Sequence, residues 1–253
     1  MMAAFDENLS ALSNAVETRL LLLVKIGQIE HLEALRQGRL WARHLEFYKQ
    51  VEGPPLAHQD SQEGLRGVYQ ATRIEVRIEP PGQDPIILSS DNGLIGQVLV
   101  SADLAVPALC LHAIHTGEWT NRQIGEAELE LFRRHLEIPE SMSKFGTHAL
   151  CIYNVQAFQR RIEKACSAQN IQLSRRFVRY VDPERIHGGI PTALTGFVKK
   201  SSFKDEREYR YLFRAAQTLP DPFILEVGSL EDITNIIPLT DFNSQIRVDL
   251  PSE

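Results

Sequence analysis

The sequence has 253 residues, 43% of them hydrophobic and 24% charged, which is typical of a globular protein with a sizeable core. The formal net charge of -6 disfavours unspecific binding to duplex DNA, because proteins that coat DNA are usually basic. A local basic groove that binds nucleic acid is compatible with this net charge. The three cysteines form no Cys-x-x-Cys pair, which argues against zinc ribbons and fits buried thiols in a reducing cytoplasm.

The N-terminal residues have no basic stretch ahead of an apolar core, so they do not resemble a signal peptide. The apolar run Leu20–Val24 is too short for a bilayer, which needs about 20 residues. The sequence therefore predicts a cytoplasmic protein with no membrane partner. Its length and even composition predict one domain over residues 1–253.

In the first third of the chain, Asp6 is predicted to cap a helix, and the segment LLLLVKI reads as a buried strand. A short helix is expected in GQIEHLEALRQGRL, where Gly38 fits the left-handed position that ends a helix. The segment LWARHLEFYK follows and is predicted to be extended and then to turn. The segment VEGPPLAHQDSQEGLRG has turn residues and no periodicity, which indicates a loop.

In the middle of the chain, ATRIEVRIEP alternates between apolar and charged residues, which predicts a half-exposed antiparallel strand. A turn at PPGQDP leads to a returning strand at IILSS. Residues 94–99 and 105–115 are expected to form core strands. The segment IGEAELELFRRHLEI has helical spacing of its apolar residues.

In the last part, HALCIY is predicted as a buried strand and Asn154 as the cap of a helix in VQAFQRRIEKACSAQN. Strands are expected in RRFVRYV, PFILEVG and QIRVDL, and a short helix capped by Ser229 in SLEDITNII. Strands outnumber helices, and the helices are not regularly interleaved. The fold class predicted is α+β, with a mixed or mostly antiparallel sheet and a few flanking helices.

The stretch FVKKSSFKDEREYRYLF, residues 197–213, places charged groups between aromatic residues. If it is a strand, Glu206, Glu208 and Arg210 share one face, about 6.5–7 Å apart, and the aromatic residues face the core. One interpretation is a solvated face on which opposite charges pair. The other is a cleft wall, where Arg210 anchors an anion and a glutamate stabilises positive charge on a substrate sugar. Lys199 and Lys200 either hold phosphates or belong to a plain loop.

Two further groups contain residue types that bind metals. Asp60 and Glu63 have the spacing of a metal-ligand pair, but such pairs in loops are usually solvated. His112 and His115 lie three apart in a segment that reads as a strand, which points them to opposite faces and favours a core histidine over a metal pair. No metal site is predicted. The motifs of P-loop NTPases, Rossmann dehydrogenases, α/β-hydrolases and zincins are absent.

Several blocks together resemble a group of bacterial and prophage proteins of unknown function. The blocks are IEHLEALRQGRLWARHLEFYK, FGTHALCIYNVQAFQRRI, VRYVD and FVKKSSFKDEREYRYLF, with a Glu-x-Glu-x-Arg near the C-terminal end. This resemblance implies a phage-conflict or mobile-element setting. The sequence is also similar to ADP-ribosyltransferases, in the opening LLLVKIGQIEHLEALRQGRL and in the closing Glu206-Arg207-Glu208. The first strand offers Lys25 where that family has Arg or His.

The similarity to ADP-ribosyltransferases implies NAD as a possible substrate, with Glu208 stabilising the oxocarbenium-like sugar as nicotinamide leaves. It implies that Glu206 orients or deprotonates the acceptor and that Tyr48 stacks on the nicotinamide ring. Substrate-binding residues are then expected to be Arg210, Tyr48, Arg43 and Lys200. Two alternatives stay open: a metal-dependent nuclease using Asp60, Glu63, a C-terminal glutamate and Lys200, and a non-catalytic binding or antagonist protein with a protein partner.

Overall fold

The computed structural model describes residues 18–49, 63–102 and 104–249. The strands of these residues, in chain order, are β1 (Leu20–Gly27), β2 (Arg39–His44), β3 (Leu65–Gln70), β4 (Val76–Ile78), β5 (Ile86–Leu88), β6 (Gln97–Ser101), β7 (Pro107–His115), β8 (His148–Ile152), β9 (Gln172–Phe177), β10 (Arg179–Val181), β11 (Gly188–Gly189), β12 (Val198–Lys200), β13 (Glu208–Arg214), β14 (Phe223–Glu226) and β15 (Thr234–Pro238). The α-helices are α1 (Ile29–Arg36), α2 (Leu45–Lys49), α3 (Glu126–His135), α4 (Val155–Ala168) and α5 (Leu239–Gln245).

Eight of the strands form the main sheet, and its pairings are all antiparallel. The order β14-β2-β7-β1-β8-β15 describes most of it, and β13 joins β7 to β9. Smaller sheets pair β3 with β6 and β11, and β4 with β5, while β10 and β12 form a parallel pair. The predicted α+β class with a mostly antiparallel sheet is confirmed.

The main sheet forks at β7. On one side, β7 pairs with β13 over Ala108–His112. On the other side, its C-terminal half pairs with β1, and its first two residues, Pro107 and Ala108, pair with β2. Because β1 turns away to pair with β8 and β2 turns away to pair with β14, the two arms diverge. The segment Leu109–Leu111 therefore lies at the base of the fork.

The two faces of the sheet have different coverings. Helix α4 packs its buried residues Phe158, Ile162 and Cys166 against one face, where they meet the aromatic side chains of Tyr211 and Phe213. The other face carries two separate apolar clusters. One surrounds Val24, Ile114 and Phe242, and the other surrounds Ala108, Phe197 and Leu212. The region between these two clusters holds the charged residues described below.

Several predicted elements are confirmed. The strand in LLLLVKI, the helix after it, the returning strand at IILSS and the strand in HALCIY all occur. Helix α1 is followed by Gly38 with φ of 95°, and a Cβ at this position would lie 2.1 Å from the carbonyl oxygen of Gly228. Glycine is therefore required here both by the backbone angle and by the close approach of a second chain segment.

Three predictions for the strands near the small sheets are wrong in part. The expected strand over residues 71–79 is reduced to β4, since a 3₁₀ turn occupies Ala71–Arg73. The expected core strand near residues 94–99 is β6, which lies at the edge of a small sheet and exposes Val98 by 46%. The single strand expected in RRFVRYV is divided into β9 and β10, which belong to different sheets. Pairing partners, which a local pattern does not contain, decide these cases.

The predictions for the C-terminal region also need correction. A helix over SLEDITNII is wrong beyond one 3₁₀ turn at Glu231–Ile233, because the next five residues form β15 along the open edge of β8. The strand expected in QIRVDL is wrong as well, since α5 ends at Gln245 and the following described residues form no strand. Helix α5 buries Phe242 in the core, which favours the helix over an extended chain.

Some expectations lie outside the described residues. The helix capped by Asp6 and most of the predicted loop over residues 51–67 are in this category, although the end of that segment, from Leu65, belongs to β3. Among the helices of the described ranges, none has the length and apolar character needed to cross a membrane.

The cap of α4 generates the first testable prediction. The side-chain oxygen of Asn154 accepts a hydrogen bond from the backbone N–H of Ala157 at 3.0 Å. Replacing Asn154→Ala should lower the free energy of unfolding by about 1 kcal/mol, because one N–H at the start of the helix loses its partner. Asn154→Asp keeps a capping oxygen and should stay close to the wild type. Urea unfolding measures both, and equal losses in the two variants would contradict the capping role.

Candidate functional site

The fork between β1 and β2 contains a cavity of about 640 Å³. Residues of both arms line it, together with α1 and the Leu109–His112 segment of β7. The ammonium group of Lys25 donates to the carbonyl oxygen of Cys110 at 3.1 Å, at the level where β1 has left β7. Cavities of about 300–1,000 Å³ are the size that small organic ligands occupy. We call this cavity the cleft.

A chain of ion pairs borders the cleft, and four of its members line the wall: Lys199, Glu206, Glu208 and Arg210. Arg210 donates to Glu63 at 2.7 and 3.2 Å and to Glu208 at 2.9 and 3.1 Å. Lys199 donates to the other oxygen of Glu208 at 2.8 Å and to Oε2 of Glu206 at 2.5 Å. Lys144 completes the chain with a contact of 3.2 Å to Oε1 of Glu206. We call these six residues the charged cluster.

Apart from Lys144, the residues of the charged cluster are buried. Arg210 is 1% exposed, Glu208 6% and Lys199 3%, and Glu63 has no exposed surface. The interpretation of this face as a solvated strand face is therefore wrong. Buried ions stabilise a protein little by themselves but are costly to leave unpaired, which explains why every carboxylate of the cluster has a cationic partner.

The fold positions the two glutamates by a break in the strand. Glu208 and Arg210 lie on β13, where alternate residues share a face. Glu206 lies at the end of a 3₁₀ turn, Ser201–Glu206, and Arg207 between the two glutamates has a left-handed φ of 42°. The guanidinium of Arg207 donates to the carbonyl oxygen of His135 at 2.6 Å, which holds this unusual backbone in place. Both carboxylates consequently meet at Lys199.

Loop backbone completes the surroundings of Arg210. The carbonyl oxygen of Gly196 accepts from its guanidinium at 2.7 Å. Gly196 has φ of 81°, and a Cβ there would lie 2.8 Å from the side chain of Leu212. A residue with a side chain would therefore be strained and crowded at this position, and it would displace a carbonyl group that Arg210 needs.

The surroundings within the charged cluster shift the pKa values of its glutamates in different directions. Burial alone raises the pKa of Glu208, but the charges of Arg210 and Lys199 outweigh it and hold this pKa well below its usual range. Burial raises the pKa of Glu206, with Lys199 opposing this effect, and burial also raises the pKa of Glu63. Glu208 is therefore a firmly ionised carboxylate, while Glu206 accepts a proton more readily.

His112 lies beside the glutamates and also lines the cleft. Its Nδ1 lies 2.9 Å from the carbonyl oxygen of Glu206, and because a carbonyl only accepts, this nitrogen carries the proton. Burial lowers the pKa of His112 to about 4, although the hydrogen bond to Glu206 opposes the shift. The imidazole is therefore neutral at pH 7, and its Nε2, which has no partner among the described residues, is an acceptor.

Aromatic and cationic side chains form the remaining walls. Trp41 is 55% exposed and lines the cleft with Phe47 and Tyr48. The guanidinium of Arg43 lies 3.8 Å from the centre of the Phe47 ring and pairs with both oxygens of Asp221, at 2.9 and 3.2 Å. Burial raises the pKa of Tyr48 well above its usual range, so the phenol stays protonated. The walls therefore offer flat faces for stacking and positive charge for anions.

The residues that the sequence singled out are mostly brought together. Those that line the cleft are Glu206, Glu208, Arg210, Tyr48 and Arg43. Lys200 is exposed and does not line it, and its neighbour Lys199 makes the contacts to the carboxylates instead. The two lysines follow each other on β12, so their side chains point to opposite faces. Both lysines are candidates in the sequence, and only the position of β12 in the fold decides which of them contacts the carboxylates.

Two members of the charged cluster were not expected in it. Glu63 was considered as a metal ligand with Asp60, but both of its carboxylate oxygens accept from Arg210, and Asp60 lies outside the described residues. Lys144 had no signal in the sequence. In the part of the chain that the structure describes, there is no group of three or more His, Cys, Asp or Glu side chains placed to hold a metal ion.

Comparisons with known proteins give no relative: no family model, no curated protein and no solved structure matches this chain.

The central position of Arg210 generates the second prediction. Replacing Arg210→Met leaves Glu63 and Glu208 without the guanidinium, and the free energy of unfolding should fall by about 3–5 kcal/mol. Adding Glu63→Gln to this variant should restore part of the loss, because one of the two uncompensated charges is removed. Urea unfolding measures these differences. Arg36→Met, which removes two partly exposed ion pairs, with Glu33 and Glu231, is the control and should change stability far less. A wild-type value for Arg210→Met would contradict the prediction.

The burial of neutral His112 generates the third prediction. A histidine titrates near 6.5 in the unfolded chain and, for His112, near 4 in the folded protein. Its contribution to stability is therefore complete above about pH 6.5 and is lost as the pH falls toward 4, with a slope of up to about 1.4 kcal/mol per pH unit. Urea unfolding between pH 4 and 7 should show a shallower slope for His112→Gln than for the wild type. His148→Gln is the control and should keep the wild-type slope. Equal slopes in all three proteins would show that His112 is not buried in its neutral form.

Proposed function

We propose that this protein is an enzyme that binds an NAD-type dinucleotide in the cleft and transfers its ADP-ribose group to an acceptor. The observation that carries the proposal is the position of Glu206 and His112, two groups able to exchange protons or accept hydrogen bonds, at the wall of a cleft with aromatic and cationic sides. The phage-conflict or mobile-element setting stays a prediction from the sequence resemblance.

The composition of the cleft supports a dinucleotide as the ligand. A dinucleotide has two flat rings, two ribose groups and a diphosphate, and the cleft offers a chemical partner for each. Trp41 and Tyr48 suit the rings, Lys25 and Arg39 suit the phosphates, and Glu206 suits the ribose hydroxyls. The volume of about 640 Å³ is adequate for such a ligand.

Within this proposal, Glu206 is the residue that meets the reacting sugar. Both oxygens of Glu208 accept from buried cations, whereas Oε1 of Glu206 contacts Lys144, whose side chain is 38% exposed. The sequence similarity gave the sugar-stabilising role to Glu208. We assign that role to Glu206 and regard Glu208 as a positioning residue, which holds Lys199 and Arg210 in place.

The reaction then follows from the charges. When the bond between the ribose carbon and nicotinamide breaks, nicotinamide leaves with the bonding electrons and positive charge develops on the sugar. The carboxylate of Glu206 stabilises this charge. The acceptor forms the new bond to the same carbon, and its proton passes to Glu206, whose pKa is raised by burial. With water as the acceptor, the same steps hydrolyse NAD.

The fourth prediction tests this proposal with matched variants. The wild type at an NAD concentration of about 100 times its dissociation constant should be stabilised by roughly 2.7 kcal/mol in thermal unfolding, and it should release nicotinamide. Glu206→Gln should keep the thermal stabilisation and lose nicotinamide release, because the charge is removed while the shape is retained. Chromatography of the reaction mixture measures the release.

Adjacent lysines provide the control. Lys199→Ala should impair both binding and release, whereas Lys200→Ala, which changes an exposed residue, should leave both at the wild-type level. The proposal fails if NAD neither stabilises nor reacts with the wild type, or if Glu206→Gln keeps full activity. Stabilisation by NAD without any reaction, even when candidate acceptors are added, would instead favour a non-catalytic binding protein.

A further inference from the structure

A second cavity, of about 740 Å³, adjoins the apolar cluster around Ala108, Phe197 and Leu212 that was described with the fold. Phe197, which packs with Ala108 and Leu212 in that cluster, forms part of its wall. The residues lining this cavity are all different from those lining the cleft. It is bounded by the start of β7, the strand β9, the end of β13 and the turn at Thr192–Thr195.

The charge of this second cavity is one-sided. Three arginines line it, Arg66 on β3, Arg176 on β9 and Arg214 at the end of β13. Of the described residues that line it, none is an aspartate or glutamate. Most other arginines near this sheet have a carboxylate partner, as Arg175 has in Glu163 and Arg210 in Glu63 and Glu208. The second cavity therefore gathers three guanidinium groups, those of the exposed Arg66 and Arg176 and of the half-buried Arg214, which have no carboxylate partner among the described residues.

The register of two strands places part of this charge in one row. Gln172, Ser174 and Arg176 of β9 lie opposite Arg214, Leu212 and Arg210 of β13, so all six side chains share one face. The levels of Arg176 and Arg214 are four residues apart along the strands, or about 13 Å. Two guanidinium groups on long side chains can therefore reach a ligand of several ångströms between them, with the polar side chains of Ser174 and Gln172 along its length.

Two further observations concern the polar groups of this cavity. Burial lowers the pKa of Arg214, since its guanidinium loses water without gaining a carboxylate. The hydroxyl of Thr195, which also lines the cavity, is buried and has no hydrogen-bond partner among the described residues. An oxyanion would supply the missing negative charge and would accept a hydrogen bond from this hydroxyl.

We propose that the second cavity binds a small ligand carrying two or more phosphate groups. Guanidinium forks match the geometry of phosphate oxygens, and three of them around one cavity suit several linked phosphates better than a single anion. This site does not depend on the proposed activity of the cleft. It gives the protein a separate place to hold a phosphorylated effector or the phosphorylated part of a second substrate.

The fifth prediction tests this site with inorganic probes, which lack the rings and sugars of a nucleotide. Pyrophosphate and tripolyphosphate should raise the melting temperature of the full chain at constant ionic strength, and titration calorimetry should give a dissociation constant. Arg176→Gln and Arg214→Gln should each weaken binding about ten-fold or more, since each removes a charge-assisted contact. Arg185→Gln changes an exposed arginine that pairs with Asp182 outside the cavity, and it should bind as the wild type does.

The outcomes separate this site from the cleft and from general charge effects. Glu206→Gln should bind tripolyphosphate with the wild-type affinity, whatever its effect on NAD. Equal weakening in Arg185→Gln would show unspecific attraction of anions and would overturn the proposal, as would the absence of any response to either probe. Binding of a single-stranded oligonucleotide without binding of the two inorganic probes would also overturn it, in favour of a nucleic-acid surface.

Discussion

The guanidinium of Arg210 is the interaction on which the rest of the structure depends. Arg210 lies on β13, between β7 and β9, and is buried, and its donors reach Glu63, Glu208 and the carbonyl of Gly196. These partners come from the segment before β3, from β13 itself and from the loop before β12. A buried charge without partners would cost more than most single substitutions, so these segments are held together by the requirement to surround it. The charged wall of the cleft is a consequence of that arrangement.

The cleft itself arises from how β7 is paired. A strand has two sides, and β7 shares one of them between β1 and β2, which then diverge toward β8 and β14. The gap between the diverging arms leaves the backbone carbonyl of Cys110 without a strand partner on that side. The ammonium group of Lys25 donates a hydrogen bond to this carbonyl. Because α1 connects the two arms and lines the gap between them, the gap forms a cavity with walls of helix and strand. The same strand that supports the core thus provides the base of the proposed active site.

Much of the local structure could be predicted from local patterns. The cap at Asn154, the helix end at Gly38 and the strand in LLLLVKI depend on residues within a few positions of each other. The failures have a common cause. The strand Thr234–Pro238 forms because β8 offers a free edge, and β6 is exposed because it is the edge strand of a three-stranded sheet. Neither fact is contained in the segment concerned, so propensity alone favoured another outcome.

The features of the candidate site likewise fall into those that follow from local sequence and those that depend on tertiary contacts. From the sequence alone, Glu208 and Arg210 are expected on one face of a strand, because side chains alternate along it. Glu206 precedes β13 and joins them only through the 3₁₀ turn and the left-handed Arg207. Tertiary structure alone decided that this group is buried, that Lys199 and not Lys200 joins it, and that Glu63, 147 residues away, is the partner of Arg210. The physical reason is that burial and ion pairing depend on which distant segments the folded chain brings together, whereas the alternation of side chains along a strand depends only on the strand.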